Sequence, residues 1–239
     1  MKGFLKKIFK SNLFLNCLLV CIVLSVAVSV AFTPVSILMH ANKLSDGVVY
    51  KGSDDCKTVA LTFNVYQGTE QVKEILSVLE DKGAKATFYI GGCWADDNVS
   101  VVEEILSLGH EIGSHGYYHK DHAKLSYKDN LAELRFADDL IKAICGSSPT
   151  LFAPPSGSFS KDTLKACESL GYRVIMWSKD TIDWRDKDED LILSRATKDL
   201  SSGDIILMHP TDCTAKALPK IIDTIRAQGL EPSNVSSVL

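Results

Sequence analysis

Two histidines four residues apart, His115 and His119, enclose Gly116-Tyr117-Tyr118. If that segment makes one helical turn, their Cβ atoms lie about 6 Å apart and both rings can face one ion. Neutral imidazole is the commonest zinc ligand. Two ligands fall short of zinc's usual three or four. On its own the pair therefore reads first as surface histidines in a polar loop that also holds His122. His209 ends the apolar run Ile205-Ile206-Leu207-Met208. An imidazole there could serve as a general acid near neutral pH, although a hydrogen-bonded ring at a strand end is the plainer account. Asp180 and Asp183 flank a turn that closes on Trp184. Paired carboxylates can do acid–base work, and Asp in turns is also simply structural. Pro154-Pro155, before Ser156 and Gly157, stiffens an extended backbone. It either aims a loop at a ligand or turns the chain. Asn64 follows another apolar run, Val59–Phe63.

These residues need elements to hold them. Short apolar runs predict strands at Val59–Phe63, Ala86–Ile90, Glu111–Ser114, Leu151–Ala153, Arg173–Trp177 and Asp204–Met208, with a weaker seventh near Leu230 or Val235. Helical stripes lie between them: Val72, Ile75, Leu76 and Leu79; Val102, Ile105 and Leu106; Leu134, Ala137, Ile141 and Ile144; Leu164, Cys167 and Leu170; Leu218, Ile221, Ile222 and Ile225. Each stripe stops at a glycine (Gly83, Gly109, Gly146, Gly171 and Gly229) of the kind that caps helices in the left-handed conformation. Strand–helix alternation predicts a mainly parallel α/β sheet covered by helices. Periodicity alone leaves a closed barrel and an open doubly wound sheet both standing. In a barrel, reactive side chains follow the C-terminal ends of the strands, and the polar residues above fall there.

The 239 residues carry a net charge of −4, with no long basic run to follow a phosphate backbone, so no nucleic-acid partner is expected. The beginning of the chain differs in kind. Residues 1–12 carry Lys2, Lys6, Lys7 and Lys10 as a basic cytoplasmic stub, and residues 13–32 are uncharged. At 1.5 Å per residue that run reaches about 30 Å as a helix, enough to cross a bilayer. It reads as one N-terminal transmembrane signal-anchor; a cleaved signal peptide, cut near Ser29-Val30-Ala31, is the rival. Either way the remainder is exported. The expected arrangement is a cell-membrane protein with an extracytoplasmic domain, secreted if the segment is cleaved. Residues 33–56 form a membrane-proximal linker and residues 57–239 the domain. The seven cysteines include Cys17 and Cys21 inside the apolar run and show no CxxC pair, so neither a disulfide framework nor a cysteine–zinc site is read from them.

Taken in order, the motifs are Thr62-Phe63 and the two residues after it, Gly109-His110-Glu111-Ile112-Gly113-Ser114-His115 through His119, Phe152-Ala153-Pro154-Pro155-Ser156-Gly157, Asp180 with Asp183-Trp184, and Ile206-Leu207-Met208-His209. Together they resemble the five motifs of the NodB-like polysaccharide deacetylases, carbohydrate esterase family 4, over roughly 57–239. The resemblance implies a distorted (β/α) barrel of about seven strands. It implies a hydrolase that removes N-acetyl groups from amino sugars, here peptidoglycan or a related cell-wall glycan, with the help of a divalent metal, zinc by preference. It matches His115 and His119 to the metal histidines, His209 to the acid, Leu207 to the apolar wall of the acetyl pocket, and Asp180 and Asp183-Trp184 to the fourth motif. Pro155, Ser156, Trp184 and Tyr118 are the implied substrate contacts, with Trp94 and Tyr117 as further groove aromatics.

The match breaks where the family usually reads Thr-Phe-Asp-Asp. Here Asn64 stands in place of the base and Val65 in place of the metal carboxylate. Ala153 and Ser156 replace the usual arginine and aromatic of the third motif. The run Asn64 to Glu70, with His209-Pro210-Thr211 and Ala217-Leu218-Pro219, looks like a sporulation-associated branch found in spore-forming Gram-positive bacteria. Three readings follow. The site could be rearranged but active, with Glu70 or Asp180 supplying base or ligand and Asn64 positioning water. It could be a glycan-binding pseudoenzyme. It could be an envelope scaffold.

Overall fold

A computed structural model describes residues 47–239. The expected basic stub and transmembrane segment, 1–32, lie outside the described residues. No helix among the described residues is long and apolar enough to cross a membrane.

Among the described residues nine strands form one sheet: β1 (Val48–Val49), β2 (Thr58–Val65), β3 (Thr87–Ile90), β4 (Glu111–Ser114), β5 (Leu151–Phe152), β6 (Arg173–Ile175), β7 (Lys179–Asp180), β8 (Ile205–Met208) and β9 (Glu231–Ser233). Their order is β1-β6-β5-β4-β3-β2-β8-β7, and β9 pairs with the first residues of β2. Every pairing is parallel. Among the described strands, β1 and β7 end the order and do not pair with each other, so the sheet is an open half-barrel.

Seven of the nine strands fall where the apolar runs predict them. The weak seventh run is β9. β1 and β7 have two residues each and no apolar run marks them: β1 is an isolated Val48-Val49 pair and β7 is Lys179-Asp180. β1 also comes from the stretch expected to be linker, and it joins the sheet by pairing with β6. β2 is buried along nearly its whole length. A strand of a parallel sheet covered on both faces reads as such an unbroken apolar run. β2 extends two residues beyond its predicted end, so Asn64 and Val65 are its last residues and do not follow it.

The covering helices are α1 (Thr69–Asp81), α2 (Gly92–Asp97), α3 (Val99–Ser107), α4 (Tyr127–Cys145), α5 (Lys161–Ser169), α6 (Glu189–Thr197) and α7 (Asp212–Ala227). The α1, α4 and α7 stripes are buried as their spacing predicts, with Ile144 of α4 only partly covered. In α3 the buried face is Val101, Val102 and Ile105, while Leu106 is 42% exposed. Ser126 caps α4, its side chain accepting from the Asp129 amide. Ser160, before α5, completes a reciprocal capping box with Thr163.

One close approach fixes the strand that carries His115. A Cβ on Gly113 would sit 2.5 Å from the Tyr89 ring and 3.0 Å from the Leu151 carbonyl oxygen. β4 therefore lies flush between β3 and β5 only because residue 113 has no side chain.

Candidate functional site

The C-terminal ends of the strands open into a cavity of about 460 Å³. From the predicted set it gathers Asn64 from β2, His115 and His119 after β4, Ser156 after β5, Asp180 from β7, Trp184 beyond it, Leu207 from β8, and His209 just after β8. Residues 145 positions apart in sequence meet here because parallel strands present the same ends to one side.

His115 is 1% exposed, and its Nδ1 lies 2.7 Å from the Ala153 carbonyl oxygen. A carbonyl only accepts, so Nδ1 carries the proton and Nε2 keeps its lone pair. Burial, with His119 alongside, pulls the His115 pKa down to about 3, so the ring is neutral at ordinary pH.

His119 does not sit one helical turn from His115. The segment between them is a bend, and His119 itself takes a left-handed φ of 52°. The two rings still meet edge to face, with centroids 5.1 Å apart. The loop is fastened from below by Glu133 of α4, a buried carboxylate that accepts from the Tyr117 and Tyr118 amides. On its other side His119 lies against the Tyr66 ring, centroids 4.0 Å apart. Burial lowers the His119 pKa as well.

Asp183 does not face substrate as a surface acid would. It is 2% exposed and holds His209. Its Oδ1 is 2.8 Å from His209 Nδ1, and its Oδ2 accepts from the His209 amide at 2.6 Å and from Thr214 Oγ1 at 2.6 Å. The carboxylate thus fixes the His209 tautomer with Nδ1 protonated and Nε2 free for proton traffic. Asp180 lines the cavity and accepts from the Ile182 amide at 2.9 Å. That bond supports the turn in which Ile182 has a φ of 54°. Leu207 is 4% exposed and contributes an apolar patch of wall.

Other predicted residues lie elsewhere. Glu70 is on the first turn of α1, exposed and 3.1 Å from Lys73, outside the cavity lining. Pro155 is buried in the short turn after β5, and Tyr118 is 55% exposed outside the lining. Trp94 packs in the core and donates from its indole to Thr69 Oγ1. Sequence reasoning missed Tyr66, Gln67, Trp177, Pro210 and Thr211, all in the lining. Tyr66, Gln67, Pro210 and Thr211 directly follow the strand ends already singled out, and that position was the available signal.

The family pattern described as polysaccharide deacetylase matches residues 51–175. The chain belongs to the polysaccharide deacetylase family. This deacetylase-family chain is 34% identical over 210 residues to YlxY of Bacillus subtilis, a protein described as uncharacterized, covering 88% of this chain and 66% of that one. It is 29% identical over 185 residues to a peptidoglycan-N-acetylglucosamine deacetylase of Bacillus cereus, covering 75% and 67%. Among solved structures it resembles BA3943 of Bacillus anthracis, described as a CE4 family pseudoenzyme. The TM-score is 0.79 at 34% identity, with 82% of this chain and 70% of that one covered. A mutant of BA3943, described as a pseudoenzyme with restored enzymatic activity, matches at the same TM-score and 32% identity. The chain therefore has a deacetylase-like fold and spans about two thirds of the length of YlxY.

A divalent metal fits this donor set poorly. His115 and His119 are neutral and adjacent, but Val65 is a fully buried hydrocarbon. Among the described residues, no group of three His, Cys, Asp or Glu is placed to hold an ion. Loss of a ligand should cost more than the roughly 10–100-fold that outer-shell changes cost. Zinc titration of the metal-free native chain should therefore give an affinity at least about tenfold below that of Val65→Asp. His115→Ala and His119→Ala should each abolish what binding exists. Native affinity equal to that of Val65→Asp would refute this account.

Proposed function

We propose that this chain binds amino-sugar units of a cell-wall glycan in the cavity, as its deacetylase relatives do, and that the altered site leaves N-acetyl hydrolysis strongly impaired. The single observation that carries the reading is the replacement of both strand-end carboxylates, by Asn64 in the cavity lining and by Val65 buried next to it in the core. An amide cannot take a proton from water at neutral pH, and general-base catalysis is worth about 10²–10⁴ in rate. What remains is the acid half of the reaction. Asp183 orients His209, whose Nε2 can carry a proton to a departing amine. Asp180 and Leu207 offer a polar and an apolar wall to the sugar and its acetyl group. Trp184, 62% exposed at the rim, offers a ring face.

In this reading the glycan is peptidoglycan or a close relative of it. The envelope is that of a spore-forming Gram-positive cell, in keeping with the motif run Asn64 to Glu70. The basic stub and the uncharged run 13–32 support membrane anchoring with the domain outside. Protease added to intact protoplasts should then digest the domain; full protection would place it inside and end the envelope reading.

Binding is tested by sedimenting the full chain with purified peptidoglycan. The native chain should pellet with the wall material. Trp184→Ala should weaken retention about threefold to tenfold, the range expected for losing one aromatic contact. A chain that stays in the supernatant at every glycan load refutes the proposed function.

A further inference from the structure

The charged and imidazole groups of the cavity are one-sided, although Gln67, Ser156 and Thr211 in the lining can donate as well as accept. Among the described residues that line it there is no Lys or Arg, and Asp180 is the one carboxylate. His115 gives its Nδ1 proton to Ala153, and His209 gives its Nδ1 proton to Asp183. Both rings are left with Nε2 lone pairs. Asn64, 4% exposed at the end of β2, has an amide oxygen with no hydrogen-bond partner. A buried acceptor without a donor is costly, by roughly the desolvation of the group.

Such a lining suits a ligand rich in donors and positively charged. An N-acetylated sugar brings a single amide N–H and a carbonyl oxygen that competes with the lone pairs already present. A free sugar amine is protonated at neutral pH and brings three N–H donors, as an ammonium does. It can give hydrogen bonds to imidazole nitrogens, and Asp180 compensates its charge.

We propose that the cavity selects amino sugars whose nitrogen is free, that is, glycan units already stripped of the acetyl group, over N-acetylated ones. The inference rests on the proposed function in taking the cavity as the glycan site. It makes this chain a receptor for the product of the reaction its family carries out. A hydrolase acting earlier must supply that product by adding water across the acetamide C–N bond, releasing acetate and leaving the nitrogen as ammonium.

The test is calorimetric titration of the full chain in detergent at neutral pH, with a chelator present to remove metals. The probes are the N-acetylglucosamine tetramer and the fully de-N-acetylated tetramer. The amine tetramer should bind about tenfold to a hundredfold more tightly, the range for hydrogen bonds to a charged group. Asp180→Asn keeps the acceptor for the Ile182 amide and removes the charge. It should cut affinity for the amine tetramer about tenfold, several times more than it cuts affinity for the acetylated tetramer. Asp139→Asn, an exposed carboxylate on α4, controls for general attraction of a polycation to an acidic chain and should change neither. Equal or tighter binding of the acetylated tetramer overturns the inference while leaving glycan binding intact. An amine preference that Asp139→Asn erodes as much as Asp180→Asn also overturns it. Binding of neither tetramer overturns both the inference and the proposed function.

Discussion

The double change Asn64→Asp, Val65→Asp is expected to raise acetate release from N-acetyl-chitooligosaccharide by about 10²–10⁴ over the native chain when zinc is supplied, the usual worth of a positioned general base. Both positions are the last residues of β2, where register with β3 fixes the backbone. Asn64 lines the same cavity as His115, His119 and His209, so a carboxylate there is delivered to the reacting end of the fold. Position 65 is fully buried, and an ionised group there without a partner is costly. The variant should therefore be less stable without metal and recover with it, a second readout from thermal melts. Adding Ala153→Arg should help further, since an adjacent cation holds a carboxylate ionised. It must do so without moving the Ala153 carbonyl that orients His115. A rearranged active site predicts the opposite: native activity that Glu70→Gln or Asp180→Asn destroys. Glu70 is exposed and paired with Lys73 away from the cavity, so Glu70→Gln should change nothing. Native turnover equal to that of the carboxylate variant would refute the impaired-site reading.

Much of this site is legible in the amino-acid sequence, because parallel strands put reactive groups at one kind of place. His115, His209, Asn64 and Asp180 each stand at or beside the end of an apolar run, and the cavity collects all four. What stayed hidden depends on distances between segments that sequence cannot supply. Asp183 reads in sequence as half of a carboxylate pair flanking a turn, and only the approach of β8 and α7 turns it into the anchor of His209. Glu133 sits in mid-helix with no local mark of function, yet it ties down the loop between the two histidines. Tyr66 read as part of a motif and proves to be the ring against His119. Leu106 shows the limit of periodicity in another way. Its spacing fits the stripe, but α3 is rotated so that Val101 takes the buried place. Glycine spacing gave the helix ends well, because a left-handed cap is a local property: Gly83, Gly146 and Gly229 all have positive φ.

Acid should unfold this domain through its histidines before its carboxylates are neutralised. His110 is 5% exposed, and its Nδ1 accepts from the Ala86 amide, so adding a proton there removes an acceptor and buries a charge. Burial, with the Lys85 charge nearby, lowers its pKa to about 4. Burial and His119 take His115 to about 3. Burial lowers His122 too, whose Nε2 lies sealed without a partner while Nδ1 meets Asn130. In the unfolded chain these rings titrate near 6.5. Below that pH the unfolded chain binds protons that the folded chain refuses, so stability rises with pH across the window. It is complete above about pH 6.5 and is lost as pH falls toward the folded values of about 4 and about 3. Each such histidine contributes a slope of up to about 1.4 kcal/mol per pH unit. His110 and His115 together therefore give about 2 kcal/mol per unit between pH 6 and pH 4. The carboxylate held lowest, Asp186 between Arg185 and Arg195, adds its loss only below the ordinary carboxylate range. Urea unfolding from pH 7 to pH 5 should show the stability falling steeply. His110→Gln, which keeps an acceptor but cannot take up a proton, should remove a substantial share of that slope while costing stability at pH 7. A stability that stays flat from pH 7 to pH 5, or a slope untouched by His110→Gln, would mean that these rings are not held neutral by the fold.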